Sequence, residues 1–182
     1  RMANPVLLLH GFTGSVSSTW KPTGLIDLLQ EAGREVIAID LPGHGTAVKH
    51  HDPKAYADME QQLVDELPEG MIDGVGFSMG ARTLLCMAAI APQKFGKLVV
   101  AGVGRNLFER DEAQAERIAR GVQGEADPGD VHAQTFARYA AEADQDGQAL
   151  AAFMRRKHYP LGESEFRLIT HPVRVVLGTE DF

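Results

Sequence analysis

The chain has almost no cysteine, no basic stretch and no long apolar run, and each shortage removes a class of protein. A single cysteine, Cys86, excludes any internal disulfide, and its place in an apolar helical stretch makes it a small packing residue rather than a reactive thiol. With 18 Lys and Arg against 25 Asp and Glu, the net charge is −7 and no cluster is long enough to track a phosphate backbone. Nucleic acid and anionic membrane are therefore not expected partners. The longest apolar run near the start, Pro5-Val6-Leu7-Leu8-Leu9, is far too short to span a bilayer and lacks the build of a signal peptide, so the expected location is cytoplasmic. Metal ligands are also scarce. The nearest approach is His50-His51-Asp52, where adjacent side chains diverge and no further ligand cluster appears, so no metal is expected.

What is present is a repeated alternation. Five short runs rich in Val, Ile and Leu recur at Val6 to Leu9, Val36 to Ile39, Val75 to Phe77, Leu98 to Val103 and Val173 to Leu177. None alternates apolar with polar, the pattern of strands buried on both faces of a parallel sheet. Helical stripes separate the first four: Leu25, Ile26, Leu28 and Leu29 in one, and Tyr56, Met59, Leu63 and Leu67 in the next, opened by Asp52 as N-cap with Pro53 in its first turn. At 182 residues this predicts one α/β domain, an open, mostly parallel sheet with helices on both faces and a ligand crevice at the carboxyl ends of its strands.

Something with chemical potential follows each of the first three strands. His10-Gly11-Phe12-Thr13-Gly14 is a glycine-rich loop whose backbone N–H groups suit a developing negative charge. Asp40-Leu41-Pro42-Gly43-His44-Gly45 is a tight turn. Gly76-Phe77-Ser78-Met79-Gly80 has the G-x-S-x-G pattern of a nucleophile elbow, in which a strand turns sharply into a helix and leaves the serine hydroxyl exposed at the tip. The apolar run before it and the strong helix former after it, ended by Pro92, are the context that motif requires.

These motifs, with Gly178-Thr179-Glu180-Asp181, resemble the α/β-hydrolase superfamily in order and spacing over residues 5 to 103 and 172 to 182. The resemblance implies a serine hydrolase acting on a small carboxylic ester or related acyl compound without a cofactor. Ser78 matches the nucleophile, Asp181 the acid, and the N–H groups of Phe12 and Met79 the oxyanion hole. It further implies a core in two parts, residues 1–103 and 167–182, with 104–166 as a helical lid; glycine and proline breakers and weak apolar stripes there predict few buried contacts. The same motifs also resemble a menaquinone-pathway lyase that uses such a triad as a base. A non-catalytic binding module is the reading from another class.

Individual residues stay open at this level. Trp20 suits either packing under the first helix or lining the acyl pocket, and Arg82, one helical turn past Ser78, is either exposed or a substrate-carboxylate anchor. His10 and His44 read as loop-fixing residues. In the superfamily the histidine follows the acid after one further helix and strand, yet only Phe182 follows Asp181. The expectation is therefore a chain cut short before its base, with Val173 to Leu177 as an exposed apolar edge able to pair with another chain.

Overall fold

The computed structural model describes residues 2–142 and 144–179. Strands β1 (Val6–Leu9), β2 (Val36–Ile39), β3 (Ile72–Phe77), β4 (Phe95–Ala101) and β5 (Val173–Val176) form one sheet in the order β2-β1-β3-β4-β5. Every neighbouring pair is parallel. Helices α1 (Leu25–Glu31), α2 (Met59–Glu66) and α3 (Met79–Ile90) make the early crossovers, and α4 (Glu112–Arg120), α5 (Val131–Ala140), α6 (Gly147–Met154) and α7 (Glu163–Phe166) lie between β4 and β5. From β1 the sheet grows to one side with β2 and to the other with β3. Loops leaving β1 and β3 therefore part at a topological switch point, where an open α/β sheet has its crevice.

Strand β1 lacks a polar alternation because both of its faces are covered. Val6 and Leu8 pack with Trp20, Leu25, Ile26 and Leu29 on the α1 side, while Leu7 and Leu9 join the larger core of α2, α3 and the later helices. Helix α3 is buried nearly all round, from Gly80 to Ala89 with only Arg82 as an exception, which accounts for its continuous apolar composition. Burial pushes the Cys86 thiol up to about 12, so it is a packing residue and no nucleophile at neutral pH.

Several expectations need correction. The helix forecast from Asp52 is two pieces: the Asp52 carboxylate accepts from Lys54 N–H and caps a single turn, Pro53–Tyr56, and α2 starts again at Met59. Both Tyr56 and Met59 remain buried, so the apolar stripe survives the break. Residues 104 to 166 were expected to carry few buried contacts, yet Leu150 and Phe153 of α6 are fully buried in the main core. Each such side chain contributes about 1.5–3 kcal/mol. By contrast, β5 is exposed along its whole length, Val175 at 56%.

Candidate active site

Strand β3 carries Ser78 to the carboxyl edge of the sheet and reverses there into α3. Ser78 adopts φ 54° and ψ −116°, a conformation that costs a residue with a side chain on the order of 1–3 kcal/mol. The surroundings hold it there. Ser78 N–H donates to Ala101 O on β4 at 2.8 Å, and Ser78 O accepts from Ala81 N–H at 3.0 Å and Arg82 N–H at 3.2 Å. The flanking glycines allow the reversal to be this tight. A Cβ at Gly76 would stand 2.6 Å from Ala81 Cα, and one at Gly80 would run into the carbonyls of Leu9 and His10. The Ser78 hydroxyl makes no hydrogen bond among the described residues and is part-exposed.

The loop leaving β1 lies beside this turn, a Cβ at Gly11 being 3.4 Å from Ser78 Cβ. His10 organises it. Its Nε2 accepts from Leu41 N–H at 2.9 Å, which leaves the proton on Nδ1 to be donated to Gly11 O at 2.8 Å. Burial lowers the pKa of His10 and keeps the ring neutral, as that pairing requires. Gly14 N–H also donates to Gly11 O, at 3.0 Å. Because a peptide is planar and trans, fixing the Gly11 carbonyl from two sides aims the Phe12 N–H the opposite way. Neither Phe12 N–H nor Met79 N–H, the latter in the first turn of α3, has a partner among the described residues.

A second loop, after β2, buttresses the first. Burial pushes the Asp40 carboxyl up, but hydrogen bonds from Thr46 N–H at 2.8 Å, Val16 N–H at 2.7 Å and the Thr46 hydroxyl outweigh it and hold Asp40 below its ordinary value. His44 is fully buried beside it, donating from Nδ1 to Pro42 O at 3.0 Å and ringed by His10, Phe12 and Phe153. Burial, with His10 next, lowers its pKa to about 3.

Of the residues singled out from sequence, Ser78, Met79 and the Phe12 loop come together, while Trp20 and Arg82 serve elsewhere. Trp20 lies in the cluster under α1 with Val6 and Leu8, which is the packing position of the two read from sequence. The Arg82 guanidinium donates to Tyr159 O at 2.7 Å, so it ties α3 to the segment after α6 instead of standing exposed or free for a substrate carboxylate. Asp181 lies outside the described residues. No histidine among the described residues bonds to Ser78: His171 contacts Pro92 O at 2.7 Å, His51 pairs with Asp146, and His158 lies beside Arg110 and Met154. No group of three or more metal-ligating side chains exists among the described residues, and none of their helices is long and apolar enough to cross a membrane. Sequence reasoning missed Gln145, which reaches the Phe12 loop from the turn before α6, donating to Thr13 O at 3.0 Å and Gly14 O at 3.2 Å. A lone glutamine in a polar segment carries no local signal of such a role.

Comparison with known proteins agrees with this geometry. The family model of the alpha/beta hydrolase fold matches residues 4–165. The esterase Rv0045c of Mycobacterium tuberculosis is 33% identical over 109 residues, 58% of this chain and 35% of that protein. The esterase YbfF of Escherichia coli is 31% identical over 118 residues, 60% of this chain and 43% of that protein. The chain thus spans less than half the length of these curated relatives. Among solved structures, a carboxylesterase from the thaumarchaeon Nitrososphaera gargenis superposes with a TM-score of 0.67 at 18% identity, covering 98% of this chain and 83% of that one. A bromoperoxidase from Bacillus anthracis gives 0.69 at 18% identity, with 96% and 73% covered. Identities that low speak for the fold alone.

Proposed function

The chain belongs to the α/β-hydrolase fold family, and on that premise we propose that it is a serine hydrolase cleaving small carboxylic esters or related acyl compounds through an acyl-enzyme at Ser78. The observation that carries this reading is the strained backbone of Ser78, held by Gly76, Gly80 and Ala101 with its hydroxyl unbonded among the described residues. Strain maintained at that cost is expected where a side chain must be presented to a substrate. The two esterase relatives support ester cleavage as the reaction class.

In this mechanism Ser78 Oγ attacks the acyl carbon as its proton passes to a general base. The carbonyl oxygen takes the negative charge and accepts hydrogen bonds from Phe12 N–H and Met79 N–H. Collapse expels the alcohol, which receives the proton from the base. Water then attacks the acyl-serine by the same route, releasing the acid and restoring the Ser78 hydroxyl. Since no described histidine reaches Ser78, this reading puts the base, oriented by Asp181, outside the described residues. Helices α4 to α7 act as the lid that shapes the acyl pocket, a role supported by Phe136 and Phe153 standing 5.7 and 6.2 Å from Phe12.

The test is labelling of Ser78 by a fluorophosphonate, followed by intact mass, together with a panel of short and medium p-nitrophenyl esters. One adduct lost in Ser78→Ala, and turnover reduced on the order of 10⁴-fold or more in that variant, are expected. Residual turnover above about one per cent of wild type would reject Ser78 as nucleophile.

A further inference from the structure

Gln145 is the one side chain of the segment between β4 and β5 that bonds to the backbone of the Phe12 loop among the described residues. We propose that it is a positioning residue for the oxyanion hole, holding Phe12 N–H on target across the junction between lid and core. This rests on the reading of Phe12 N–H as an oxyanion donor.

The argument starts from the rigidity of the residue's own support. Gln145 N–H donates to Glu142 O at 3.1 Å, and the next residue, Asp146, caps α6 by accepting from Gln148 N–H at 2.9 Å and Ala149 N–H at 3.1 Å. His51 Nε2 lies 2.8 Å from the other oxygen of Asp146, so the capped end is also tied to the core. From this base the Gln145 amide spends both kinds of bonding capacity on core loops. Its Nε2 donates to Thr13 O and Gly14 O, at 3.0 and 3.2 Å, and its Oε1 accepts from Gly45 N–H at 3.4 Å.

Those two carbonyls are mechanically connected to Phe12. Thr13 sits at φ 66°, a left-handed conformation disfavoured for a β-branched residue, so the loop needs external bonds to stay as it is. Gly14 N–H bonds to Gly11 O, and the Gly11 carbonyl belongs to the peptide whose other end is Phe12 N–H. Gln145 holds Gly14, Gly14 holds Gly11, and the planarity of that peptide transmits the constraint to the donor. His10 fixes the same carbonyl from beneath, whereas Gln145 acts from the lid side. Loss of Gln145 leaves Thr13 O and Gly14 O without these donors and lets the loop relax, and an oxyanion donor displaced from its place loses much of its effect.

Two variants of the full chain separate this from a packing role. Gln145→Ala removes the amide; Gln145→Glu keeps its shape but sets a carboxylate against two carbonyl oxygens. Hydrogen exchange of the Gly14 amide is expected to quicken about tenfold in both, with Leu84 to Met87 in α3 unchanged, because the Gly14–Gly11 bond opens more often. On p-nitrophenyl acetate, kcat is expected to fall on the order of tenfold or more with KM within about twofold, as for a group acting through the transition state. Unchanged Gly14 exchange in both variants overturns the proposal. So does a glutamate variant that behaves as wild type, or a loosened loop with kcat unaltered. If the full-length gene product, base included, cleaves no ester at all, the esterase reading falls and the oxyanion role with it, while Gly14 exchange still decides whether Gln145 holds the loop.

Discussion

Glu60 on α2 and Arg156 just beyond α6 form an ion pair at 3.5 Å with side chains only 2% and 3% exposed. It is the deepest electrostatic link between the core and the segment inserted after β4. Arg156 also donates to Phe153 O at 3.0 Å and lies 3.9 Å over the Phe153 ring, so the arginine braces the aromatic that packs beside Phe12. The geometry is imperfect: Arg156 Nε and Glu60 Oε1 lack hydrogen-bond partners among the described residues.

Breaking such a pair leaves one buried charge alone. Glu60→Leu or Arg156→Met singly is expected to cost about 3–5 kcal/mol, whereas the double variant should recover most of that loss because the desolvation of both charges disappears. Urea unfolding of the three variants checks it. A double variant as unstable as the sum of the singles would mean that the two charges do not couple, and would overturn this account of the pair.

The elbow glycines differ in consequence from the serine between them. Gly80→Ala places a methyl against the carbonyls of Leu9 and His10, and Gly76→Ala places one 2.6 Å from Gly80 O, both against backbone that cannot move aside. Each is expected to destabilise by roughly 1–3 kcal/mol or more. Ser78→Gly should instead stabilise by about 1 kcal/mol, since glycine relieves a positive φ. A fall in melting temperature for Ser78→Gly would argue against strain at that position.

How much could be read from sequence follows from how local each constraint is. The elbow and the His10 loop are legible because glycine, serine and histidine at adjacent positions act on one another directly. The parallel sheet is legible because strands such as Leu7-Leu8-Leu9 must be apolar on both faces. Trp20 is not, since two buried faces want the same ring, and the pleat of β1, with Val6 and Leu8 to one side and Leu7 and Leu9 to the other, decides between them. Arg82 and Gln145 are illegible for a different reason: their partners stand 77 and 132 residues away and are backbone carbonyls, which have no sequence signature. The break between Tyr56 and Met59 preserves the apolar spacing and so hides from a periodicity argument.

The last prediction concerns acid. His44 is fully buried and neutral, its pKa lowered from 6.5 to about 3 by burial and then by His10, and His10 itself is lowered by burial. His158 is also depressed to about 3, by burial and then Arg156, though it is less enclosed. For a base whose folded pKa lies below its unfolded value, the unfolded chain takes up protons that the folded one cannot. Stability is therefore complete above about pH 6.5 and falls as pH drops from there toward about 3, at up to roughly 1.4 kcal/mol per pH unit for each such group. Carboxylates do not confuse the upper part of this window, above about pH 5, because the stability contributed by Asp40, whose folded pKa is depressed, is lost only as pH falls below its ordinary 3.8. His44→Asn keeps a donor for Pro42 O and removes one titrating group. Urea unfolding at pH 7.5, 6.0 and 5.0 is expected to show wild type losing stability steadily and the asparagine variant losing it less steeply. Parallel lines for the two proteins would mean that His44 accepts a proton in the folded state, and that the ring between Phe12 and Phe153 is open to water.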